Sequence, residues 1–234
     1  MERSRDIKKD NTRGISDIVR EEKRILRKEV LKKRDALTSD LHKCYSRDIR
    51  SAVQSWEVYR KAKVLLSFVS FGSEVDTQIL IKDAIADGKK VYCPRVQGEE
   101  MFFYRIHSPE DLKPGYRGIL EPVKGEPFDE KTKEKVLLLV PGTVFDKERN
   151  RIGYGRGFYD RFIRSLRESF SLTTAALAFS LQVVDSVPTE EHDIRPGYLF
   201  TENGIYGASI INRMERENAY ELDNNGRSCG SCKV

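Results

Sequence analysis

Ile18, Ile25, Leu26, Val30 and Leu37 recur at spacings of seven and four, which predicts a helix with one apolar stripe. Its other faces carry Lys23, Arg24, Arg27, Lys28, Lys32, Lys33 and Arg34. Ahead of it, residues 1–17 mix charge with Asn, Thr and Gly and have no period, the pattern of a flexible leader. Thr38 and Ser39 can cap a second helix over Asp40 to Lys61, with Leu41, Ile49, Val53 and Trp56 on its apolar side.

The pattern then alternates between strand and helix. Val64 to Phe71 suits a buried strand, Asp76 and Thr77 can cap a helix running to Asp87, and Gly88 suits its C-terminal left-handed residue. Lys90 to Cys93 predicts a second strand, ended by Pro94, so the three elements form a βαβ unit. Met101 to Ile106 predicts a further strand, and Ser108 to Thr132, rich in Pro, Gly and charge, a surface excursion. Val136 to Val140 is the most apolar strand. A glycine-dense loop follows, then a helix from Phe158 to Ser169 and a strand from Thr173 to Phe179. Val183 to Pro188 and Leu199 to Thr201 suit short strands. The expected architecture is one α/β domain over residues 18–210 with a mainly parallel sheet, followed by a disordered tail over 211–234.

Charge and composition narrow the setting. The chain of 234 residues holds 42 Lys+Arg and 37 Asp+Glu, a net charge of +5 that suits small anionic ligands better than nucleic acid. Its apolar runs are too short to span a membrane, and the charged N-terminus lacks the apolar stretch of a secretory signal. The expectation is a cytoplasmic protein. Cys44, Cys93, Cys229 and Cys232 are too sparse for a disulfide framework, and the Cys229/Cys232 pair lies alone in the polar tail.

The candidate chemistry gathers between Pro141 and Arg161. Gly153, Gly155 and Gly157 let the backbone approach a ligand, and the following helix adds its N-terminal dipole. Arg151 and Arg156 bring permanent charge for phosphate oxygens, and Asp160, one turn into the helix, is a hard oxygen ligand for Mg²⁺. Neither a Walker loop nor a dinucleotide fingerprint fits the glycine spacing. The plainer alternative is a tight turn followed by a helix-dipole carboxylate.

The stretch from Val140 to Arg161 also resembles the signature of the 5-formyltetrahydrofolate cyclo-ligase family, whose members are also called methenyltetrahydrofolate synthetases. Four further stretches resemble the same family in order: Lys23-Arg24-Ile25-Leu26-Arg27, Phe71 to Thr77, Gly118 to Pro122, and Ala176 to Phe179 with Val187-Pro188 and Glu191-His192-Asp193. The resemblance implies a three-layer α/β domain with N-terminal helices packed on it. It implies that ATP phosphorylates the formyl oxygen of 5-formyltetrahydrofolate, that N10 closes the ring, and that phosphate leaves. By the same similarity Lys23, Arg27, Arg151, Ile152, Gly153, Tyr154, Gly155, Arg156, Gly157, Phe158 and Tyr159 contact ATP. Arg151, Arg156 and Tyr159 serve catalysis, and Asp160 and Asp193 hold Mg²⁺. Val69, Glu74, Tyr154, Gly155, Arg156, Gly157 and Phe158 contact the folate. His192 is expected to support this site from behind.

The residues admit plainer roles beside these. Lys23 and Arg27 lie in a basic run that could be a solvated face, Asp76 is better read as a helix cap, and Asp193 could face solvent. Gly197 stands where the family often carries a second Asp, Tyr154 where some members have Arg, and Arg156 where some have Lys or Gly. Two competitors share the anion loop: a sugar-phosphate isomerase-like enzyme, and a non-catalytic folate- or nucleotide-binding protein. The expected partners are small molecules, with no nucleic acid or membrane, on a monomer or weak dimer.

Overall fold

The computed structural model describes residues 3–166 and 171–207. Helix α1 (Arg3–Asp35) leads through Thr38 into α2 (Ser39–Ser55) and the short α3 (Glu57–Lys61). Strand β1 (Val64–Leu66), α4 (Gln78–Ala86) and β2 (Lys90–Gln97) form the expected βαβ unit, with β1 and β2 parallel. Next come β3 (Glu100–Ile106), the hairpin of β4 (Leu112–Pro114) and β5 (Leu120–Pro122), and β6 (Val136–Val140). The rest is β7 (Val144–Asp146), β8 (Arg151–Ile152), α5 (Phe158–Leu166), β9 (Leu172–Leu177), β10 (Val183–Val184), β11 (Tyr198–Thr201) and β12 (Gly204–Gly207).

Seven strands form the main sheet in the order β12-β11-β9-β6-β1-β2-β3. It is parallel from β11 to β2 and antiparallel at both edges. Alternation divides the core between its faces. Leu65, Leu137, Leu139, Leu177 and Phe200 pack with Ile49 and Val53 of α2 and with Leu80, Ile81 and Ala84 of α4. Val64, Leu66, Val136, Leu138 and Val140 pack with Phe162, Ile163 and Leu166 of α5. Helices therefore cover both faces, which is why the central strands read as unbroken apolar runs. The fold is the expected three-layer α/β arrangement.

Several boundaries differ, each for a physical reason. Helix α1 begins at Arg3 instead of Ile18, because elongation adds one hydrogen bond per residue once a helix is anchored, and Arg and Lys favour it. Its buried face also differs from the predicted stripe. Ile18 and Ile25 are exposed, while Lys23, Val30 and Arg34 are buried. Trp56 leaves the helix in an extended conformation, splitting α2 from α3, and its ring sits against Tyr198 and Phe200 at 4.6 and 5.1 Å between centroids.

Strand β1 stops at Leu66 because side chains take over the backbone pairing. The Thr77 hydroxyl donates to Phe68 O at 2.8 Å and accepts from Ser70 N at 2.9 Å. Asp76 does cap α4, accepting from Gln78 N at 2.8 Å, and Gly88 has φ +74° where the helix ends. Strand β2 runs through Pro94, since β1 has ended by then and that side of β2 has no ladder to lose. The 108–132 excursion contains the β4/β5 hairpin, and β12 adds an edge strand that the sequence pattern did not mark. The expected tail at 211–234, with Cys229 and Cys232, lies outside the described residues.

Candidate active site

Strands β1 and β6 are parallel neighbours, so the loops leaving their carboxyl ends meet over one end of the sheet. One carries Phe71 to Glu74; the other runs through Pro141-Gly142 and β7/β8 into the glycine-rich loop. Helix α1 lies across both and contributes Lys23, Arg27 and Arg34, all on the face turned to the domain.

In the glycine-rich loop, Gly155 and Gly157 have φ of +91° and +65°, conformations that a side chain would strain. Arg27 Nε donates to Gly153 O at 2.8 Å and so fastens the loop to α1. Burial lowers the pKa of Arg27, which nonetheless stays a cation at any physiological pH. Gly155, Arg156 and Tyr154 are exposed, and α5 starts immediately behind them. Arg156 donates to the Tyr116 hydroxyl at 3.3 Å, and the Tyr116 ring meets Phe158 edge-on at 6.3 Å.

Arg151 sits deeper than an exposed phosphate ligand would. Its side chain is 4% exposed, its Nη2 donates to Asp160 Oδ1 at 2.6 Å and its Nη1 to Pro141 O at 3.1 Å. Asp160 Oδ1 also accepts from Ile194 N at 3.0 Å, which ties α5 to the loop bearing Asp193. Ile152 points into a small cluster with Val30, Val144 and Val187, and its carbonyl accepts from the Thr143 hydroxyl. The Tyr159 hydroxyl and Arg151 Nε are buried with no hydrogen-bond partner among the described residues. Burial drives the Tyr159 pKa upward, so it stays a neutral donor.

The acidic loop comes next. Lys23 Nζ lies 3.0 Å from Glu190 Oε2 and 2.5 Å from Asp193 Oδ2. Carboxylate or ring atoms of Glu190, His192 and Asp193 lie within 4.8 Å of one another. Asp193 is therefore not simply solvent-facing, and Lys23 belongs to a buried charge cluster instead of an open basic face.

At the β1 end, the Glu74 carboxylate accepts from the Tyr154 hydroxyl at 2.7 Å and from Phe71 N at 2.9 Å. Burial raises its pKa, while Tyr154, Phe71 N–H and Arg34 oppose the rise. Val69 is 3% exposed and belongs to the core beneath this loop.

The predicted residues thus converge in pairs: Lys23 with Asp193, Arg27 with Gly153, Arg151 with Asp160, and Tyr154 with Glu74. Sequence reasoning missed Arg34, Glu190, Tyr116 and His42, whose Nε2 lies 2.7 Å from Glu74 O. Arg34 carried a signal, since it falls on the same helical face as Lys23, Arg27 and Val30.

A mainly parallel sheet covered on both faces, with a glycine-rich loop flanked by arginines at its carboxyl end, places the protein in the class of α/β folds that carry a ligand site at that end of the sheet. Within that class, residues 19–201 match the 5-formyltetrahydrofolate cyclo-ligase family, and the chain belongs to it. It is 31% identical over 183 residues to the mouse 5-formyltetrahydrofolate cyclo-ligase, covering 74% of this chain and 90% of that protein. It is 28% identical to the Escherichia coli protein of the same name, covering 70% of this chain and 92% of the other. The 5,10-methenyltetrahydrofolate synthetase of Aquifex aeolicus superposes with a TM-score of 0.70 at 30% identity, covering 89% of this chain and 96% of that one. The Mycoplasma pneumoniae synthetase shares the fold at TM-score 0.61 and 20% identity, covering 77% and 98%. Membership in this family sets aside the isomerase-like and non-catalytic readings. Among the described residues, no helix is long and apolar enough to cross a membrane.

Proposed function

We propose that this enzyme uses ATP and Mg²⁺ to cyclise 5-formyltetrahydrofolate to 5,10-methenyltetrahydrofolate. The γ-phosphoryl group passes to the formyl oxygen and ADP departs. N10 then closes onto the activated carbon, losing its proton, and phosphate leaves. The observation that carries this reading is the convergence of a glycine-rich helix N-terminus, Arg27, Arg156 and the Lys23-bound acidic loop on one sheet end.

Such chemistry asks the protein for positioning and charge neutralisation. The amides from Gly153 to Phe158 and the N-terminus of α5 face the triphosphate, with Arg156 and Lys23 as its mobile cations. Arg151, deep in the domain, holds Asp160 and the loop in place, and its unpaired Nε and the Tyr159 hydroxyl are the donors left for ligand oxygens. Glu74, held by the Tyr154 hydroxyl and the Phe71 amide, accepts N–H groups of the pterin. Phe158 supplies apolar surface, and Val69 supports the Glu74 loop from the core beneath.

The donor set suits Mg²⁺, a hard ion that prefers carboxylate oxygens beside phosphate. Asp193, which clusters with Glu190 and His192, would hold it together with Asp160, whose Oδ1 is bonded to Arg151 and Ile194 N in the structure. Once bound, it would neutralise charge on the transferring phosphoryl group. Lys23, paired with Glu190 and Asp193 in the structure, would serve as a cation for the phosphates.

ADP and methenyltetrahydrofolate formed one to one, with no ADP made when 5-formyltetrahydrofolate is left out, would support this reaction. Product formed without nucleotide would contradict it.

A further inference from the structure

Arg34 lies in the last helical turns of α1 and is 4% exposed. Its Nε donates to Ser73 Oγ at 2.9 Å and its Nη2 to the Tyr154 hydroxyl at 3.1 Å. Tyr154 in turn donates to Glu74 Oε1 at 2.7 Å. One guanidinium therefore fastens the loop after β1 and the glycine-rich loop to the same helix. Ser73 donates onward to Asp35, so the loop has a second hold on α1. Arg34 and Glu74 both line a crevice, too tight to admit a water molecule, closed by Phe68, Val75, Pro141, Gly142, Leu177 and Gln182.

The hydroxyl of Tyr154 has one proton. By donating to that oxygen, Arg34 occupies one of its lone pairs, and the proton is directed to Glu74. The third nitrogen, Nη1, is buried without a partner among the described residues. A buried donor left unpaired is costly, so packing alone does not account for a permanent cation here.

We infer that Arg34 is a positioning residue for the folate: through Tyr154 it orients the Glu74 carboxylate, and its spare N–H is reserved for an acceptor on the same ligand. The ligand edge this suits is an amide-like one, an N–H for Glu74 beside a carbonyl oxygen for Arg34. The inference rests on the folate reading above. The groups facing Glu74 are Arg34 from α1, Tyr154 from the glycine-rich loop, Phe71 N–H from its own loop and Tyr159 from α5, while His42 of α2 holds its carbonyl. Of these, Arg34 supplies the positive charge that opposes protonation of Glu74.

The test measures kcat and KM for 5-formyltetrahydrofolate and for ATP across pH, in the wild type, Arg34→Gln, Arg34→Lys and Tyr154→Phe. Melting curves record whether each variant is folded. Arg34→Gln should raise the folate KM about tenfold or more while the ATP KM stays within about twofold. It should also move the acid limb of kcat/KM for folate to higher pH, because Glu74 then protonates more readily. Arg34→Lys keeps charge without the double bond and should restore much of the pH profile but not the KM. Tyr154→Phe removes one oxygen, breaks the same relay and serves where Arg34→Gln does not fold. Equal losses for folate and ATP with an unmoved pH profile would overturn the inference and leave Arg34 a structural tie. Turnover in the wild type with no change in any variant would overturn it too, without touching the function. No turnover by the wild type would overturn both.

Discussion

Arg151 and Asp160 meet at 2.6 Å across the mouth of the glycine-rich loop, and the arginine is almost wholly enclosed. This pair joins β8 to α5, and through the Ile194 amide it also fixes the loop carrying Asp193. A residue type chosen for phosphate binding thus serves first as the anchor of the site. Breaking one partner of a buried ion pair costs about 3–5 kcal/mol, because the other charge is stranded.

Asp160→Asn should therefore lower Tm and also raise the Mg²⁺ concentration needed for half-maximal turnover. A scan calorimeter and a metal titration read the two effects separately. Arg151→Met combined with Asp160→Leu should regain stability while turnover stays lost. An unchanged metal titration in Asp160→Asn would remove this carboxylate from the ion site and leave it an anchor alone.

Glu74 predicts an unusual dependence of stability on pH. Its folded pKa is raised by burial, so the native state binds the proton more tightly than the unfolded chain. The wild type gains stability from this group as pH falls through the raised pKa, and that gain is complete below the ordinary value of 4.5. Glu74→Gln lacks the titration. Its Tm relative to wild type should be most favourable near neutral pH and should fall back on acidification, while folate binding is lost throughout. A Tm difference that grows as pH falls would contradict the burial of an ionised Glu74.

Tyr159→Phe removes a hydroxyl that is buried without a partner. The variant should melt no lower than the wild type, since a buried unpaired polar group costs about 1–3 kcal/mol. Turnover should nevertheless fall by about tenfold or more if this donor meets a ligand oxygen. Full activity in the variant would confine Tyr159 to packing against Phe103, which it approaches at 6.3 Å.

The Arg156 side chain is exposed and donates to the Tyr116 hydroxyl, so its loss should spare the fold. Arg156→Ala should raise the Kd for ATP about tenfold and that for 5-formyltetrahydrofolate much less, as isothermal calorimetry would show. Equal losses of both affinities would move Arg156 away from the phosphates.

Much of this was legible because periodicity reports burial. Val136 to Val140 is covered on both sides and reads as a continuous apolar run; Thr38, Asp76 and Gly88 mark helix ends by local chemistry. The glycine-rich loop stood out for the same local reason. Charged residues were less legible. Lys23 and Arg34 sit among exposed basic neighbours, and a pattern that scores cations as outward-facing assigns the wrong face to α1, with Ile18 and Ile25 buried in their place. What decides the matter is a partner far along the chain: Asp193 for Lys23, Ser73 and Tyr154 for Arg34. Trp56 was misread likewise, because its ring is drawn to Tyr198 and Phe200 on a strand formed much later.

The most direct measurement of the whole account follows the absorbance of methenyltetrahydrofolate at mildly acidic pH, with 5-formyltetrahydrofolate, ATP and Mg²⁺ supplied to the purified protein. The chromophore should appear only with ATP, stop when EDTA is added and resume with excess Mg²⁺. A chromophore that forms at the same rate without ATP or in EDTA, or that never forms, would contradict the proposed reaction.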